Sequence, residues 1–226
     1  MKTHAATQAL FAWPPQAAVG RPVAKSKIYA HGKPSAALRA QFVEQVESIT
    51  WAYKLSPETI NLPAKPAVPE IEVFEVALKL PDVSHSVLRC IDKAMPRPIL
   101  FNLRFDGRTQ PVAAYKRPSD AASDQWVLGD YHVAPWQNDG DARPALPLAL
   151  DLQGLYDQLL RQHFAVPARP GETLRDQLDR LSALASKQAA AAKLEARLNA
   201  EKQFNRKVEI NAQLRTIRSE LHALTS

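Results

Sequence analysis

The stretch PILFNLRFDGRTQPVAAYKR, residues Pro98 to Arg117, decides the fold of this chain. Two runs rich in β-branched and aromatic residues are joined there by Asp106 and Gly107. Asp-Gly between two such runs is typical of a tight hairpin turn, because both central residues of that turn need a positive φ. The stretch therefore predicts two strands that pair with each other in an antiparallel sheet.

Two further elements precede this hairpin. The run EIEVFEVALK, residues 70–79, predicts a strand that is largely apolar on both faces, as expected of a central strand. The run SHSVLRCIDKAMP, residues 84–96, predicts a helix with Ser84 or Ser86 near its cap and Pro96 just past its end. A strand and a helix thus lead into the hairpin.

The main element predicted before residue 70 is one helix. Apolar residues recur there at steps of four, four, three and four between Leu38 and Tyr53. This spacing predicts one helix from Ala36 to about Tyr53, with Ser35 as its cap. The segment KSKIYAH, residues 25–31, predicts a short helix or strand, and TINL, residues 59–62, predicts a short strand.

After the hairpin, DQWVLGDYHVAPW, residues 124–136, predicts a strand or a strand pair, and PLALDLQGLYDQLLRQHF, residues 147–164, predicts a helix. Taken together, the predicted fold class is α+β: a mostly antiparallel sheet with packed helices, followed by a C-terminal helical coiled-coil extension. We expect a basic, Pro-rich arm over 1–34, an α+β body over 35–170 and the helical tail over 171–226.

The tail contains no Gly or Pro from Glu172 to its end. Near the end, apolar residues recur at steps of four, three, four and three, which is a heptad seam. That seam, a predicted partner-binding surface that could also support self-association, consists of Ile210, Leu214, Ile217, Leu221 and Leu224. Leu194 and Leu198 are out of register with it, which indicates either a stutter in one long helix or two helices folded back as a hairpin.

The formal net charge of +6 is unevenly distributed. Residues 1–54 hold seven Lys and Arg against two Glu, so the N-terminal arm is a candidate nucleic-acid contact through Arg21, Lys25, Lys27 and Lys33. The alternative interpretation is a solvated, flexible terminus. The net charge indicates which partners the protein could bind, and it does not indicate the fold.

A single cysteine, Cys90, excludes an intrachain disulfide, and no cysteine cluster suits zinc. No apolar run approaches 18 residues, and the N-terminus lacks the hydrophobic region of a signal peptide, so we expect a cytoplasmic protein that does not span a membrane. Gly-rich phosphate loops and nucleophile-elbow motifs are also missing from the sequence. We expect no cofactor and no bound metal.

The most chemically suggestive residues are Glu75, Lys79 and Lys116, each on a predicted strand. Metal-dependent nucleases need carboxylates for Mg²⁺ and a lysine near the attacking water. Their usual carboxylate-to-lysine spacing is two residues, whereas Glu75 and Lys79 are four apart, and the upstream carboxylate is missing. The structural alternative is a buried Glu75 that pairs with Lys79 or Lys116, because an isolated carboxylate on an apolar face is costly.

Several phrases of the sequence occur in an order that resembles a bacterial family of domains of unknown function. The resemblance spans about residues 20 to 224. The phrases are RPVAKSKIY, FVEQVESITWAYKLSPETINL, EIEVFEVALK, CIDKAMPRPILFNL, VAAYKRP and QFNRKVEINAQLR.

Members of that family are typically encoded beside a Swi/Snf-type helicase, a DNA methyltransferase and a type III restriction-like helicase in loci that resemble phage-defence islands. The resemblance implies a context of DNA-directed defence and brings no set of catalytic residues. We therefore hypothesise a non-enzymatic accessory subunit that binds helicase or methyltransferase partners. A divergent nuclease and a DNA-binding module that uses the basic arm are the alternatives.

Overall fold

The computed structural model describes residues 9–119 and 125–225. The first eight residues of the predicted arm and the last residue of the predicted tail lie outside them. The described residues form seven strands and seven α-helices, which confirms the α+β class. The strands are β1 (Ala18–Pro22), β2 (Val46–Leu55), β3 (Ile71–Leu78), β4 (Ile99–Phe105), β5 (Arg108–Pro118), β6 (Trp126–Val133) and β7 (Gln137–Asn138). The helices are α1 (Lys25–Gly32), α2 (Ala36–Gln45), α3 (Pro57–Ile60), α4 (His85–Ala94), α5 (Leu152–Arg161), α6 (Leu174–Ala200) and α7 (Phe204–Thr225).

The strands form one sheet in the order β1-β2-β3-β4-β5-β6, and β7 pairs with β5. Neighbours are antiparallel except β3 and β4, which are parallel and are connected through α4. The predicted hairpin is β4 and β5, and its turn residues Asp106 and Gly107 have φ values of 50° and 69°. Both central positions are left-handed, as the Asp-Gly turn requires. The predictions of the hairpin and of a central strand at β3 are confirmed.

The predicted helix from Ala36 to Tyr53 is wrong beyond Gln45, because residues 46–55 form β2. Two irregularities in the β2–β3 register, between Val46 and Ser48 and between Trp51 and Tyr53, explain the error. A bulge adds a residue and changes which face the following side chains occupy. The fully buried positions of β2 therefore recur every third residue, and this spacing imitates a helix.

Smaller elements also differ from the expectations. The predicted strand TINL is wrong, because Pro57–Ile60 is a single helical turn that ends on Asn61 in the left-handed conformation. The segment at residues 25–31 is α1, so its helical alternative holds. The predicted helix at residues 84–96 is confirmed as α4, and the helix predicted within residues 147–164 is found as α5, which begins only at Leu152; Ser84 and Asp151 accept the N-cap hydrogen bonds.

The chain divides into two compact units, Met1–Ala165 and Val166–Ser226. The division into an arm, a body and a tail stays a prediction. Within the first unit, the described part of the arm is ordered: β1 pairs with β2, and Leu10, Ala17 and Ile28 are buried. The described residues of the arm, which contribute a strand and core side chains, are therefore part of the fold.

One core of the first unit lies between the sheet and the helices α1, α2 and α4. Its largest buried side chains include Phe42, Phe74, Leu88, Ile91 and Phe101. Helices α1 and α4 approach closely at Gly32, where an added Cβ would lie 2.6 Å from Cys90 Sγ and 2.8 Å from Cys90 O. Gly32 therefore fixes the distance between these two helices. Cys90 is buried and free, in agreement with a small core side chain.

The second unit is a helical hairpin, so the hairpin alternative for the tail holds. Only three residues connect α6 to α7, and cross-helix ion pairs join Lys187 to Glu220 and Glu195 to Arg218. These pairings are possible only if the two helices run antiparallel. The buried seam consists of Ala191, Ile210 and Leu214, with Leu194, Leu198, Ile217 and Leu221 packed against it.

At the C-termini of three helices, backbone carbonyl groups accept hydrogen bonds from cationic side chains that are distant in sequence. Lys25 and Lys79 donate to the last carbonyls of α2, and Lys116 donates to those of α4. Arg169 and Arg180 donate to Ala223 O and Leu224 O at the end of α7. Cations are stabilising at helix C-termini, where carbonyl groups lack partners and the macrodipole is negative. Part of the basic excess of the sequence therefore serves the fold.

Candidate functional site

The three residues considered for catalysis each have a different partner. Glu75 forms an ion pair with Arg104 of β4 at 3.3 Å, Lys79 Nζ donates to Val43 O at 2.8 Å, and Lys116 binds Asp92. The expectation that Glu75 pairs with Lys79 or Lys116 is therefore wrong. The reason is register: Glu75 lies opposite Asn102 of β4, which brings Arg104, two residues further along β4, within reach.

Lys116 is the centre of a buried charged cluster. Its Nζ donates to Asp92 O and Met95 O, both at 2.5 Å, and lies 3.3 Å from Asp92 Oδ1. Tyr131 donates its hydroxyl to the other carboxylate oxygen, Asp92 Oδ2. All three donors of the ammonium group are thus used inside the core. The cluster can hold α4 against the sheet, but it offers no free donor to a ligand.

The electrostatics of this cluster follow from its burial. Burial raises the pKa of the Asp92 carboxyl, and the nearby Lys116 opposes that shift. Burial likewise lowers the pKa of Lys116, and Asp92 opposes that shift. Each charge is therefore tolerated in the core only because the other is present.

Tyr156 of α5 fixes the strand that carries Lys116. Its hydroxyl accepts from Lys116 N and donates to Ala114 O, both at 3.0 Å. The β5–β6 register shifts between Ala114 and Lys116, so backbone groups there lack their ordinary ladder partners. A buried tyrosine completes that hydrogen bonding, and α5 is thereby attached to the sheet at the bulge.

A second acidic cluster lies where β3 begins. Glu72 is only 2% exposed, and Trp51 Nε1 donates to its Oε2 at 2.5 Å. Burial, together with the charge of Glu70, raises the pKa of Glu72 to about 7. Glu70 instead forms ion pairs with Lys54 at 2.7 Å and Arg97 at 2.8 Å. Glu72 is thus a carboxyl that titrates near neutral pH beside a paired one.

Sequence reasoning missed Asp92, Tyr131 and Glu72 as members of charged clusters. Lys116 alternates with Val112 and Ala114 on an inward face, which signals that a buried ammonium group needs a partner. The identity of that partner depends on how α4 crosses the sheet, which no local pattern records. Groups of three or more His, Cys, Asp or Glu side chains that could hold a metal ion do not occur in residues 9–119 and 125–225.

The four predicted nucleic-acid residues lie on β1 and around α1. Arg21, Lys27 and Lys33 are exposed, and none of them forms an ion pair with a described residue. Lys25 is different, because its Nζ donates to Phe42 O at 3.0 Å and Val46 O at 2.6 Å. Three of the four cations are therefore available at the surface, while Lys25 supports the end of α2.

The predicted partner-binding seam of the tail faces α6. Ile210 and Leu214 are buried in the hairpin core, and Ile217 and Leu221 pack against it. Leu224 is half-buried, and its carbonyl accepts from Arg180 Nη1 at 2.9 Å. A partner chain would meet this seam only if α6 and α7 separated.

An exposed apolar segment precedes α5. Leu148 is 96% exposed and Leu150 is 92% exposed, although both belong to a run that sequence analysis assigned to the helix. The helix starts after Asp151, whose side chain accepts from Gly154 N at 2.8 Å. The sequence signal is Asp151, whose position is typical of a helix cap, since an N-cap residue places the leucines before it outside the helix.

The Leu148–Leu150 segment is held at both ends by hydrogen bonds. Gln158 Nε2 donates to Leu148 O at 2.9 Å, and Leu152 N donates to Pro63 O at 2.9 Å. Upstream, Ala12 N donates to Pro144 O at 2.8 Å. Two leucines are thus presented to solvent by a backbone that is fixed on the first unit.

None of the helices within the described residues is long and apolar enough to cross a membrane. The family model described as Domain of unknown function (DUF4391) matches residues 11–221, which is most of the chain. No curated protein and no solved structure matches the sequence.

Proposed function

Since the chain belongs to the DUF4391 family of domains of unknown function, we propose that it is a non-enzymatic accessory subunit of a bacterial restriction-like anti-phage defence system. In this proposal it assembles with helicase or DNA methyltransferase partners. The resemblance to proteins encoded in phage-defence loci supports that context. The partners of Glu75, Lys79 and Lys116 support a structural role for the residues that could have formed a nuclease site.

The observation that carries the proposal is the pair of exposed leucines, Leu148 and Leu150. Full burial of a leucine side chain is worth about 1.5–3 kcal/mol relative to leaving it exposed. Two leucines in a fixed segment lose little further entropy when they enter an apolar pocket of a partner. They therefore form a suitable anchor, in contrast to single apolar residues scattered over a surface.

The hairpin of the second unit offers a further contact region. Its seam residues are used by α6, so a partner would bind the outer faces of α6 and α7 and not Ile210 and Leu214. The tail thus stays a docking element in this proposal, but through its outer faces and not through the predicted seam. Self-association would use the same outer faces.

The proposal is tested by co-purification with a Swi/Snf-type helicase and a DNA methyltransferase, the partners that the family resemblance implies. The variant Leu148→Ser/Leu150→Ser is expected to retain its thermal stability and to lose partner affinity by tenfold or more, since tenfold corresponds to about 1.4 kcal/mol. The matched control is Val43→Ser/Leu80→Ser, which removes two exposed apolar side chains elsewhere on the first unit. Equal capture of the partners by wild type and both variants would contradict the leucine anchor.

A second candidate function is nucleic-acid binding through the arm, favoured by the exposure of Arg21, Lys27 and Lys33. Phosphate contacts make affinity fall steeply with salt. The triple change of these residues to Gln is expected to weaken duplex binding and to reduce its salt dependence. Lys25→Gln should instead act on stability, because that ammonium group faces the end of α2.

A further inference from the structure

The turn of the helical hairpin has a concave surface lined mainly by polar and charged side chains. A shallow cavity of about 440 Å³ lies there, where α6 ends and α7 begins. Its lining residues are Arg197, Ala200, Glu201, Lys202, Gln203, Arg206 and Ile210. Three cations from two helices and their connection therefore converge on one surface, which we call the hairpin tip together with the adjacent Phe204, Lys207 and Val208.

Most cations of the hairpin tip lack an ion-pair partner among the described residues, whereas some cations further along the hairpin are neutralised. Further along the helices, Lys187 pairs with Glu220 and Arg218 with Glu195, at 2.7 and 2.9 Å. At the tip, Arg197, Lys202 and Lys207 form no ion pair with any residue in the described part of the chain. The positive charge there is available to an anion from outside.

Glu201 is the carboxylate nearest to these cations, and its geometry limits how much charge it cancels. Its Oε1 accepts from Lys202 N at 2.8 Å and Gln203 N at 2.9 Å, while Oε2 lies 4.0 Å from Arg206 Nη1. The side chain is thus engaged by the backbone of the connection. Arg206 remains mostly exposed despite this long contact.

An exposed aromatic residue lies next to the cations in sequence, at the start of α7. Phe204, the first residue of α7, is 78% exposed, and Val208, one turn later, is 50% exposed. Most of the Phe204 side chain is therefore not used in packing. Basic side chains with an adjacent exposed aromatic ring are the combination by which proteins hold single-stranded nucleic acid, with phosphates on the cations and a base stacked on the ring.

We propose that the hairpin tip binds single-stranded nucleic acid, with Arg197, Lys202 and Arg206 contacting successive phosphates and Phe204 stacking on a base. Charge complementarity and the exposed ring favour this occupant over an acidic protein segment, which would use the cations but not a stacking surface. The proposal is independent of the partner assembly proposed above. It places a nucleic-acid contact on the second unit, apart from the cations of the arm.

The test is fluorescence anisotropy of the full-length protein with a labelled 20-nucleotide single strand between 50 and 200 mM salt. The variant Arg197→Gln/Lys202→Gln/Arg206→Gln should bind at least tenfold more weakly at 50 mM salt. Its dependence of log affinity on log salt should fall by about two, since each phosphate contact on a single strand contributes about 0.7. The matched control, Arg175→Gln/Lys193→Gln/Arg215→Gln, removes three exposed cations elsewhere on the same hairpin and should retain binding.

A second series separates stacking from general apolar contact. Phe204→Leu and Phe204→Ala should each weaken binding about tenfold, whereas Phe204→Trp should retain it, because stacking needs a ring. Helical content by circular dichroism should be unchanged in all three variants. An equal loss in the two triple variants would overturn the proposal, and so would an acidic peptide that binds the tip and is not displaced by the single strand. Undetectable binding at 50 mM salt would overturn it as well.

Discussion

Lys25 and Lys79 donate to carbonyl oxygens at the same helix end, although Lys25 begins α1 and Lys79 follows β3. Lys25 Nζ reaches Phe42 O and Val46 O, and Lys79 Nζ reaches Val43 O at 2.8 Å. These contacts end α2 where β2 starts, with no connecting residue between the two elements. The chain can change from helix to strand within one peptide unit because the terminal carbonyls are satisfied by side chains.

We expect Lys25→Gln to lower the free energy of unfolding by about 1–2 kcal/mol, since it removes a charged donor from a helix C-terminus. Urea denaturation monitored by tryptophan fluorescence measures this change. The control is Lys27→Gln, an exposed residue of the same helix, which should change stability by no more than about 0.5 kcal/mol. Equal effects of the two substitutions would mean that the α2 carbonyls do not depend on Lys25.

Lys116→Met should destabilise the protein strongly, by about 3–5 kcal/mol, because it leaves the Asp92 carboxylate buried without its cation. Asp92→Leu should destabilise the protein to a similar extent, because it leaves the Lys116 ammonium group buried without its carboxylate. The double variant, Lys116→Met/Asp92→Leu, removes both charges and should recover much of the loss. A double-mutant cycle by urea denaturation measures the coupling, and additive losses would contradict the pairing.

The Lys116 cluster also shows what sequence could and could not predict. Alternation along β5 places Lys116 on the same face as Val112 and Ala114, so its burial follows from a period of two. Its partner does not follow, because Asp92 comes from α4 and meets Lys116 only after the parallel crossover places α4 over the sheet. The same holds for Glu75, whose partner Arg104 depends on the register of β3 against β4.

Turns whose residues need a particular backbone conformation could be predicted from the sequence. Asp106 and Gly107 fixed the β4–β5 turn because both positions need a positive φ. The strand β2 was not predictable by period, since its two register irregularities produce a helix-like spacing. Leu148 and Leu150 fall within the apolar run 147–164 but lie before the cap residue Asp151, so the apolar pattern alone does not show where that helix begins.

Gly32 provides a test of the packing between α1 and α4. Gly32→Ala should destabilise the protein by about 1–3 kcal/mol, because the added methyl group would overlap Cys90 Sγ and Cys90 O. The overlap with the backbone oxygen of Cys90 cannot be relieved by a side-chain rotation. The double variant Gly32→Ala/Cys90→Ala should therefore recover only part of the stability lost in Gly32→Ala. Gly140→Ala is the control, since nothing lies within 4 Å of its added Cβ. Thermal unfolding of the wild type, Gly32→Ala, Gly32→Ala/Cys90→Ala and Gly140→Ala measures these differences. An unchanged unfolding midpoint for Gly32→Ala would contradict the close approach of α1 and α4.

Glu72 makes stability depend on pH near neutrality. Its folded-state pKa of about 7 lies above the ordinary value of 4.5, so the folded protein binds the proton more tightly than the unfolded chain does. This contribution to stability is fully present below pH 4.5 and is lost as pH rises to about 7. We expect the free energy of unfolding to fall by up to about 3 kcal/mol between pH 5 and 8, since one pKa unit is worth 1.36 kcal/mol.

The variant Glu72→Gln has no titrating group at this position and should lose most of that pH dependence. Trp51→Phe should instead increase the pH dependence of stability. The Trp51 Nε1 donor favours the ionised carboxylate, so its removal should raise the pKa of Glu72 further. Urea denaturation at half-unit steps from pH 5 to 8 measures both slopes. A wild-type slope that persists unchanged in Glu72→Gln would assign the pH dependence to another group.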